Sequence, residues 1–590
     1  MPDTTGQAHE GIINLGGHGM KTSGEEGSVL LPETVLSNAE IADRLASLAQ
    51  LLSVQKENPY RVKAYQRAAA TIRTLSESID QLVRDGSDLT EYAGIGQAIS
   101  SAIREIVLTG TLGKLETLRS QASPELASIS DHPRLDPRRV LRIYKKLGIS
   151  SIQALRERLE NGDIEEKLGI RMAQHVRQGI TPTHGMLLYR ADELRVATEG
   201  FLIDKCGVRR AEVVGDYRRR VEVIDELVFL IETNDLPSVI SKLERYGGRT
   251  PMLSCSKDTA LFALPSGVLL RIQVASKENW GMALVSFTGS KAHLKKLTTV
   301  AGNLKTLKSN GPFPTESALY RKFALSFIEP ELREGLDEVE RAAQGTLPVL
   351  VSAKDIRGEL HAHSTSSDGI HSIEQMAVAA RERGYEYIGI TDHSQSLKLA
   401  RGVSVEDLLK QIRLIDKLNK RIQGVRILKS AEVDILADGS LDYPDEVLRE
   451  LDYTVCSIHS RFGFGKTQQT ERILHAMDNR YFNILGHATG RLLLKRPGYE
   501  IDMDRVIAHA KQNGCFFEIN SSPDRLDLSA ENARAAAMAG VGIAVSTDAH
   551  HTRELELVRY GMDQARRAGL EKPSVLNCLP WKTLARLFRR

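Results

Sequence analysis

The chain has 590 residues, 41% of them hydrophobic and 26% charged, with a formal net charge of +3. That length predicts three or four domains rather than one, the composition excludes a disordered or collagen-like chain, and so small a charge neither requires nor excludes a nucleic-acid partner. No apolar run reaches the length of a membrane span, no apolar leader follows a basic start, and five cysteines scattered without a C-x-x-C fit a reduced cytoplasm and exclude a disulfide framework.

Residues 1–35, rich in Gly, Ser, Thr and acidic side chains, are expected to be a disordered tail. Residues 36–182 are helical in pattern. Within them NPYRVKAYQRAAATIRTL (58–75) carries Arg61, Lys63, Arg67 and Arg73. Gly94-Ile95-Gly96 then precedes a further helical stretch. A glycine turn at a helix start exposes backbone N–H groups that hold a phosphate without reading bases. A solvated helix face would look much the same, but the surroundings over 37–120 resemble the helix-hairpin-helix amino domain of the X family of DNA polymerases. That resemblance makes 36–120 a DNA-binding domain, with Gly94, Ile95, Gly96, Arg61, Lys63 and Arg67 as candidate DNA contacts. Where some family members carry a Schiff-base lysine this chain has Ala102, so lyase chemistry of that type is not expected. Over 121–182 the resemblance implies a helical, fingers-like region. Its hairpin turns are replaced by HPRLDP (132–137) and KLGIRM (167–172), and a weak DNA grip is expected there.

Residues 183–335 resemble the family's α+β nucleotidyltransferase core through VVGDYRRRVEVIDELVFLI (213–231), SFTGSKAH (286–293) and YRKFALSFIEPELREG (320–335). Nucleotidyl transfer in that family needs three Asp residues holding two divalent ions. Here the D-x-D pair reads Glu226-Leu227-Val228 and the third position is Arg271. The family's phosphate-binding Gly-Ser is Gly215-Asp216. A cation and a valine in place of carboxylates predict that polymerase activity is lost and that the core serves as scaffold or DNA clamp.

A linker is expected over 336–355, a metal-binding domain over 356–575 and a tail over 576–590. The domain alternates seven apolar runs with amphipathic stretches, which predicts parallel strands joined by helices and closed into a barrel. Ten of the 16 histidines fall between residues 361 and 551. The candidate ligands His361, His363, Asp368, His393, Glu432, His459, His487, Asp548 and His550 all stand at the end of a predicted strand or just past one. Residues i and i+2 of a strand point the same way, so His361 and His363 can aim at one ion. A lone H-x-H is more often a hydrogen-bonded core pair, but six agreeing segments are not. Imidazole with carboxylate suits Zn, Mn or Fe, and two or three clustered ions activate water and clamp a phosphoryl centre. His371, His475 and His509 are read as helix residues and His551 as a bystander.

These residues resemble the PHP domain, a distorted seven-stranded barrel with a trinuclear centre. The resemblance implies that His361, His363, Glu432 and Asp548 hold the first metal and form the catalytic set. It implies further that Glu432 bridges to a second ion completed by His459 and His487, and that Asp368, His393 and His550 hold a third. Arg461 and Lys466, in RFGFGKTQQT (461–470), are candidate contacts to substrate phosphates.

The reading is therefore a multidomain α and α/β chain: a helix-hairpin-helix domain, a polymerase-beta-like core and a PHP (β/α)7 barrel. Its expected activity is metal-dependent phosphoester hydrolysis on DNA, as a 3′→5′ exonuclease or in abasic-site and 3′-end processing. Two or three divalent ions, Mn, Zn or Fe with Mn or Zn foremost, are expected as cofactors, DNA ends, gaps or abasic sites as partner, and a monomer. The alternatives are a small-molecule phosphatase of the histidinol-phosphatase type and a non-enzymatic DNA-end-binding factor.

Overall fold

The computed structural model describes residues 36–132, 135–180, 185–301 and 312–589. The expected tail over 1–35 lies outside them. The chain begins with three helices that share a core: α1 (Asn38–Val54), α2 (Pro59–Thr74) and α3 (Gln97–Thr109). Ser37 and Glu40 cap α1 reciprocally, and Ile41, Leu45, Leu48 and Leu52 bury one face of it at helical spacing. A separate small cluster around Val140, Leu155 and Val176 holds α4 (Ile170–Ile180).

Next comes a mixed sheet of β1 (Arg210–Val214), β2 (Glu226–Glu232), β3 (Met252–Cys255), β4 (Thr259–Ala263) and β5 (Leu269–Val274). Its order is β1-β2-β5-β4-β3, with β2 and β5 parallel.

The remaining sheet is the barrel: β6 (Gly358–Ala362), β7 (Tyr387–Ile390), β8 (Arg426–Asp434), β9 (Tyr453–Ser457), β10 (Ile484–Leu485), β11 (Phe516–Asn520) and β12 (Ile543–Ser546). All seven strands stand where the apolar runs predicted them, in sequence order and parallel. A parallel bridge between Ala362 and Ala549 joins the first strand to the end of the last. The inward face changes character along each strand. Leu428, Val455 and Ala544 pack together at the amino end of the barrel, and Glu432, His459 and Asp548 follow on the same period-two face at the carboxyl end. Around the outside run α5 (Ile373–Glu382), α6 (Val405–Arg421), α7 (Lys466–Met477), α8 (Met503–Asn513), α9 (Ala530–Met538) and α10 (Val558–Arg567). In α6 the Ser404 cap and the buried series Leu408, Ile412, Ile415 and Leu418 explain both its start and its face.

Two stretches read as connector and tail are structural. Val351 is fully buried and its N–H donates to the Leu570 carbonyl at 2.9 Å. Leu576, Leu584 and Phe588 plug the amino end of the barrel, and the Asn577 amide ties β12 to β6 by bonding Val545 N–H and the Gly358 carbonyl. Their apolar spacing is that of a short amphipathic segment covering an open barrel end.

The mixed sheet sits against the barrel through α10. Leu526 and Tyr560 enter the hydrophobic cluster of Leu188, Leu227 and Phe229. Arg220 lies between Asp192 at 3.0 Å and Asp563 at 2.7 Å, and Arg491 reaches Glu222 at 2.6 Å. No helix among the described residues is long and apolar enough to cross a membrane.

Candidate metal centre

Closure of the barrel brings β6 to the end of β12. His363 Nε2 is 3.0 Å and His361 Nε2 3.5 Å from the Asp548 carboxylate, so the i, i+2 pair does share one target. Glu432, fully buried at the end of β8, is the hub. Its carboxylate lies 3.5 Å from His361, 2.7 Å from His393, 3.4 Å from His459 and 2.9 Å from His487. Asp368, on the loop after β6, lies 3.5 Å from His393 and 3.3 Å from His550. All nine candidates thus meet at one end of the barrel.

Their atoms fall into three overlapping groups, each within 4.8 Å of one another: His361, His363 and Asp548; His393, Glu432 and His459; and His363, Asp368, His393 and His550. The grouping differs in detail from the implied one. His393 joins Glu432 and His459, and His363 reaches toward the Asp368 group, because its ring stacks between those of His393 and His550 at 4.4 and 4.2 Å. Backbone geometry serves the same convergence: His487 and Asp548 take positive φ values of 25° and 55°, costly for non-glycine residues. Gly486 is required because a Cβ there would lie 2.4 Å from Ser457 Oγ.

The site fits cations. His361 Nε2, His363 Nδ1 and His487 Nδ1 are buried with no hydrogen-bond partner, and His393 Nδ1 faces Glu432 Oε2 at 2.7 Å without hydrogen-bond geometry. Native interiors rarely leave several such atoms facing one another, and divalent ions would satisfy them together. The electrostatics agree. Burial opposes charge on His393, but Glu432 and Asp368 hold its pKa up at about 10. Burial likewise opposes charge on His459 and His550, and the neighbouring carboxylates raise each to about 9. His363 goes the other way, down to about 4, through burial and the cationic His393 and His550 beside it. Against its own burial, Glu432 is held well below the usual carboxylate range by His393, His459 and His361. Such a donor set binds a cation by exchanging protons for it.

The sequence reading missed the residues that hold the ligands. Glu518 on β11 accepts from His361 Nδ1 at 2.7 Å and from the His487 N–H at 2.8 Å. Asp434 holds His459 Nδ1 at 2.8 Å. Asp392 is bonded by Ser364, Ser367 and Gln411, which fixes the loop carrying Asp368. Each leaves the other ring nitrogen, or the loop, aimed at the cluster. A signal was available, since an acid inside an otherwise apolar strand is too costly to bury without a purpose. Glu518→Gln is expected to weaken divalent-metal affinity by roughly 10- to 100-fold with the fold intact. Competition against a chelating dye reads this, and unchanged affinity would refute the assignment. His371, read as a helix residue, instead precedes α5, accepts the Thr552 N–H and meets His551 edge-on at 4.4 Å. It stands apart from the cluster because α5 starts one residue later, at the Ser372 cap.

The other candidates are spread out. Arg461 is exposed just past His459, and Lys466 is exposed at the first turn of α7. In the amino region Arg61, Ile95 and both glycines line a cavity of about 570 Å³. Gly94 has φ 84°, and a Cβ on it would press on the Arg67 stem at 3.1 Å. Lys63 is exposed on α2. Arg73 does not join this set, because it pairs with Asp43. Ala102 is buried against the helical core and offers no nucleophile.

In the mixed sheet Val228 stands opposite Arg271, whose guanidinium lies 2.7 Å from Glu226. The one carboxylate at that position is already neutralised. The neighbouring arginines are engaged too: Arg218 with Glu316 at 2.7 Å, and Arg219 with Asp216 and with Glu334 at 3.1 Å.

Comparison with known proteins places these features. A helix-hairpin-helix domain family matches residues 36–112 and the PHP domain family matches 359–522. The chain is 31% identical over 580 residues to the DNA polymerase/3′-5′ exonuclease PolX of Bacillus subtilis (strain 168), covering 93% of this chain and 99% of that relative. It is 33% identical over 231 residues to a probable phosphatase of Thermoanaerobacter sp. (strain X514), covering 37% of this chain and 89% of the relative. A probable phosphatase of Acetivibrio thermocellus is 30% identical over 206 residues, 33% of this chain and 80% of the relative.

Proposed function

Since the chain belongs to the PolX family, we propose that it is a metal-dependent phosphoesterase acting on DNA, a 3′→5′ exonuclease that also processes abasic sites or 3′ ends in repair. The observation that carries this reading is the cluster of nine ligand-type side chains with its buried, unpartnered donor atoms. The helix-hairpin-helix match in the same chain favours DNA over a small metabolite. His361, His363, Glu432 and Asp548 would hold the metal nearest the reaction, and the remaining five the others. Two or three ions, Mn or Zn, fit the mixed imidazole and carboxylate set, and a monomer is the working unit proposed.

Ions bound here would supply Lewis acidity at a phosphoryl oxygen and a water of lowered pKa. The chain's own residues do the rest. Glu518 and Asp434 orient the imidazoles of His361 and His459. Arg525, 3.8 Å from Asp548, is the cation that would meet the negative charge of a phosphate there. The barrel floor of Leu428, Val455 and Ile484 excludes water from below. The likeness to proteins named as probable phosphatases makes a small phosphate monoester the second reading. Purified protein with Mn²⁺ offered 3′-labelled DNA, an abasic-site duplex and histidinol phosphate side by side decides between them. Release of terminal nucleotides is expected, and turnover of histidinol phosphate alone would overturn the proposal.

A further inference from the structure

Hydrolysis at the barrel mouth requires that a strand reach it, and the helical region lies at the other end of the sequence. Two cavities span the gap. One, of about 610 Å³, lies among the loops at the carboxyl end of the barrel: Thr489, two residues past His487, lines it together with Lys466, Ser529 and Asn532. The other, of about 320 Å³, lies between Arg177 of α4 and the loop Arg491–Gly498. Arg491 and Gly498 line both, which sets the two cavities side by side along a groove between the helical region and the barrel.

The groove is basic. Arg177, Arg491, Lys495, Arg496 and Lys466 line it, and Glu500 is the one acid among its described lining residues, with Asp524 pairing Lys495 at 3.2 Å from outside that lining. Its floor is braced from both sides. Arg491 bonds Glu222 of the mixed sheet and the Arg525 carbonyl of the barrel at 2.6 and 3.0 Å, and Leu493 packs into the mixed sheet's core. The Arg496 guanidinium lies 4.4 Å above the Phe462 ring. At the barrel end two features call for a ligand. The Tyr499 hydroxyl, on a residue that lines the larger cavity and is 4% exposed, is buried without a hydrogen-bond partner. There too α7 starts at Lys466 with no side-chain cap on its first N–H groups. That end is coupled to the cluster. Asp527 holds Thr489 at 2.9 Å and bonds Asn520 through its carbonyl, and the Asn520 amide reaches Asp548 at 3.1 Å.

We propose that this groove seats one single polynucleotide strand, its phosphates on the basic side chains, and leads its 3′ end to the metal centre. The orientation rests on the exonuclease reading above. Cavities of roughly 300–1,000 Å³ suit small ligands or a strand threaded a nucleotide at a time.

The test uses the full-length protein and a fluorescein-labelled single strand in EDTA, so that binding is read without hydrolysis. The double charge reversal Lys466→Glu/Lys495→Glu is expected to weaken binding about tenfold. It should also make the slope of log K against log salt shallower by about 1.4, because each lost phosphate contact on a single strand is worth about 0.7. In the unaltered protein a 4-thiothymidine placed a few nucleotides in from the 3′ end should cross-link within residues 489–503, which carry the groove wall. Unchanged affinity and salt slope in the variant would overturn the groove, as would cross-links confined to residues 59–67 and 91–99. Strand binding and cross-linking as expected, in a protein that releases no nucleotide with Mn²⁺, would sink the hydrolytic reading instead and leave the groove standing.

Discussion

Alanine at both His361 and His363 is expected to lower release of 3′-terminal nucleotides on the order of a thousandfold or more, the equivalent of several kcal/mol of Lewis-acid stabilisation. Both rings aim at Asp548, and both lie within 3.7 Å of Glu432, so the variant strips two ligands from one ion and leaves two buried carboxylates facing each other. Like charges so placed raise each other's pKa, and one carboxylate would take up a proton rather than bind a cation. Metal content, measured by elemental analysis, should fall with the activity. Circular dichroism checks the fold, since the barrel's apolar floor is untouched. A double variant that has lost metal yet keeps its nuclease rate would show that hydrolysis happens elsewhere in the chain.

Templated nucleotide addition on a gapped duplex is expected to be undetectable with Mg²⁺ or Mn²⁺. The parallel register puts Val228 beside Arg271, and the guanidinium 2.7 Å from Glu226 occupies the charge balance a divalent ion would need. A cation fixed at that distance repels a second one, and a valine offers it no oxygen. Primer extension by the purified chain is the measurement. Robust extension in the unaltered protein, not raised by Arg271→Glu, would mean that nucleotidyl transfer uses other residues. The ion pairs of Arg218, Arg219 and Arg220 suggest what the sheet does instead: Arg220 ties it to α10 of the barrel.

The barrel's strands and the convergence of the nine candidate ligands were legible because both are local. A strand's period of two records which side chains share a face, and a parallel barrel gathers the carboxyl ends of its strands whatever the loops do. The lack of a carboxylate at Val228 and Arg271, positions singled out by the resemblance to the polymerase core, was equally legible, since it needs only identity at a position. Other features depend on closure and packing. Glu518 holds His361 across 157 residues of chain, and no periodicity in either segment announces that pairing. Which histidine completes which metal group follows from ring stacking between β6, β7 and β12. The stretch over 576–589 reads as a tail until the barrel supplies an open apolar end for Leu576, Leu584 and Phe588 to fill. The basic groove exists only because Arg177 and Arg491, 314 positions apart, come to line one channel. The sequence by itself determined the chemistry available to this protein; the tertiary structure decided which side chains hold it in place and by what route a strand could reach it, because those contacts join segments that share no local pattern.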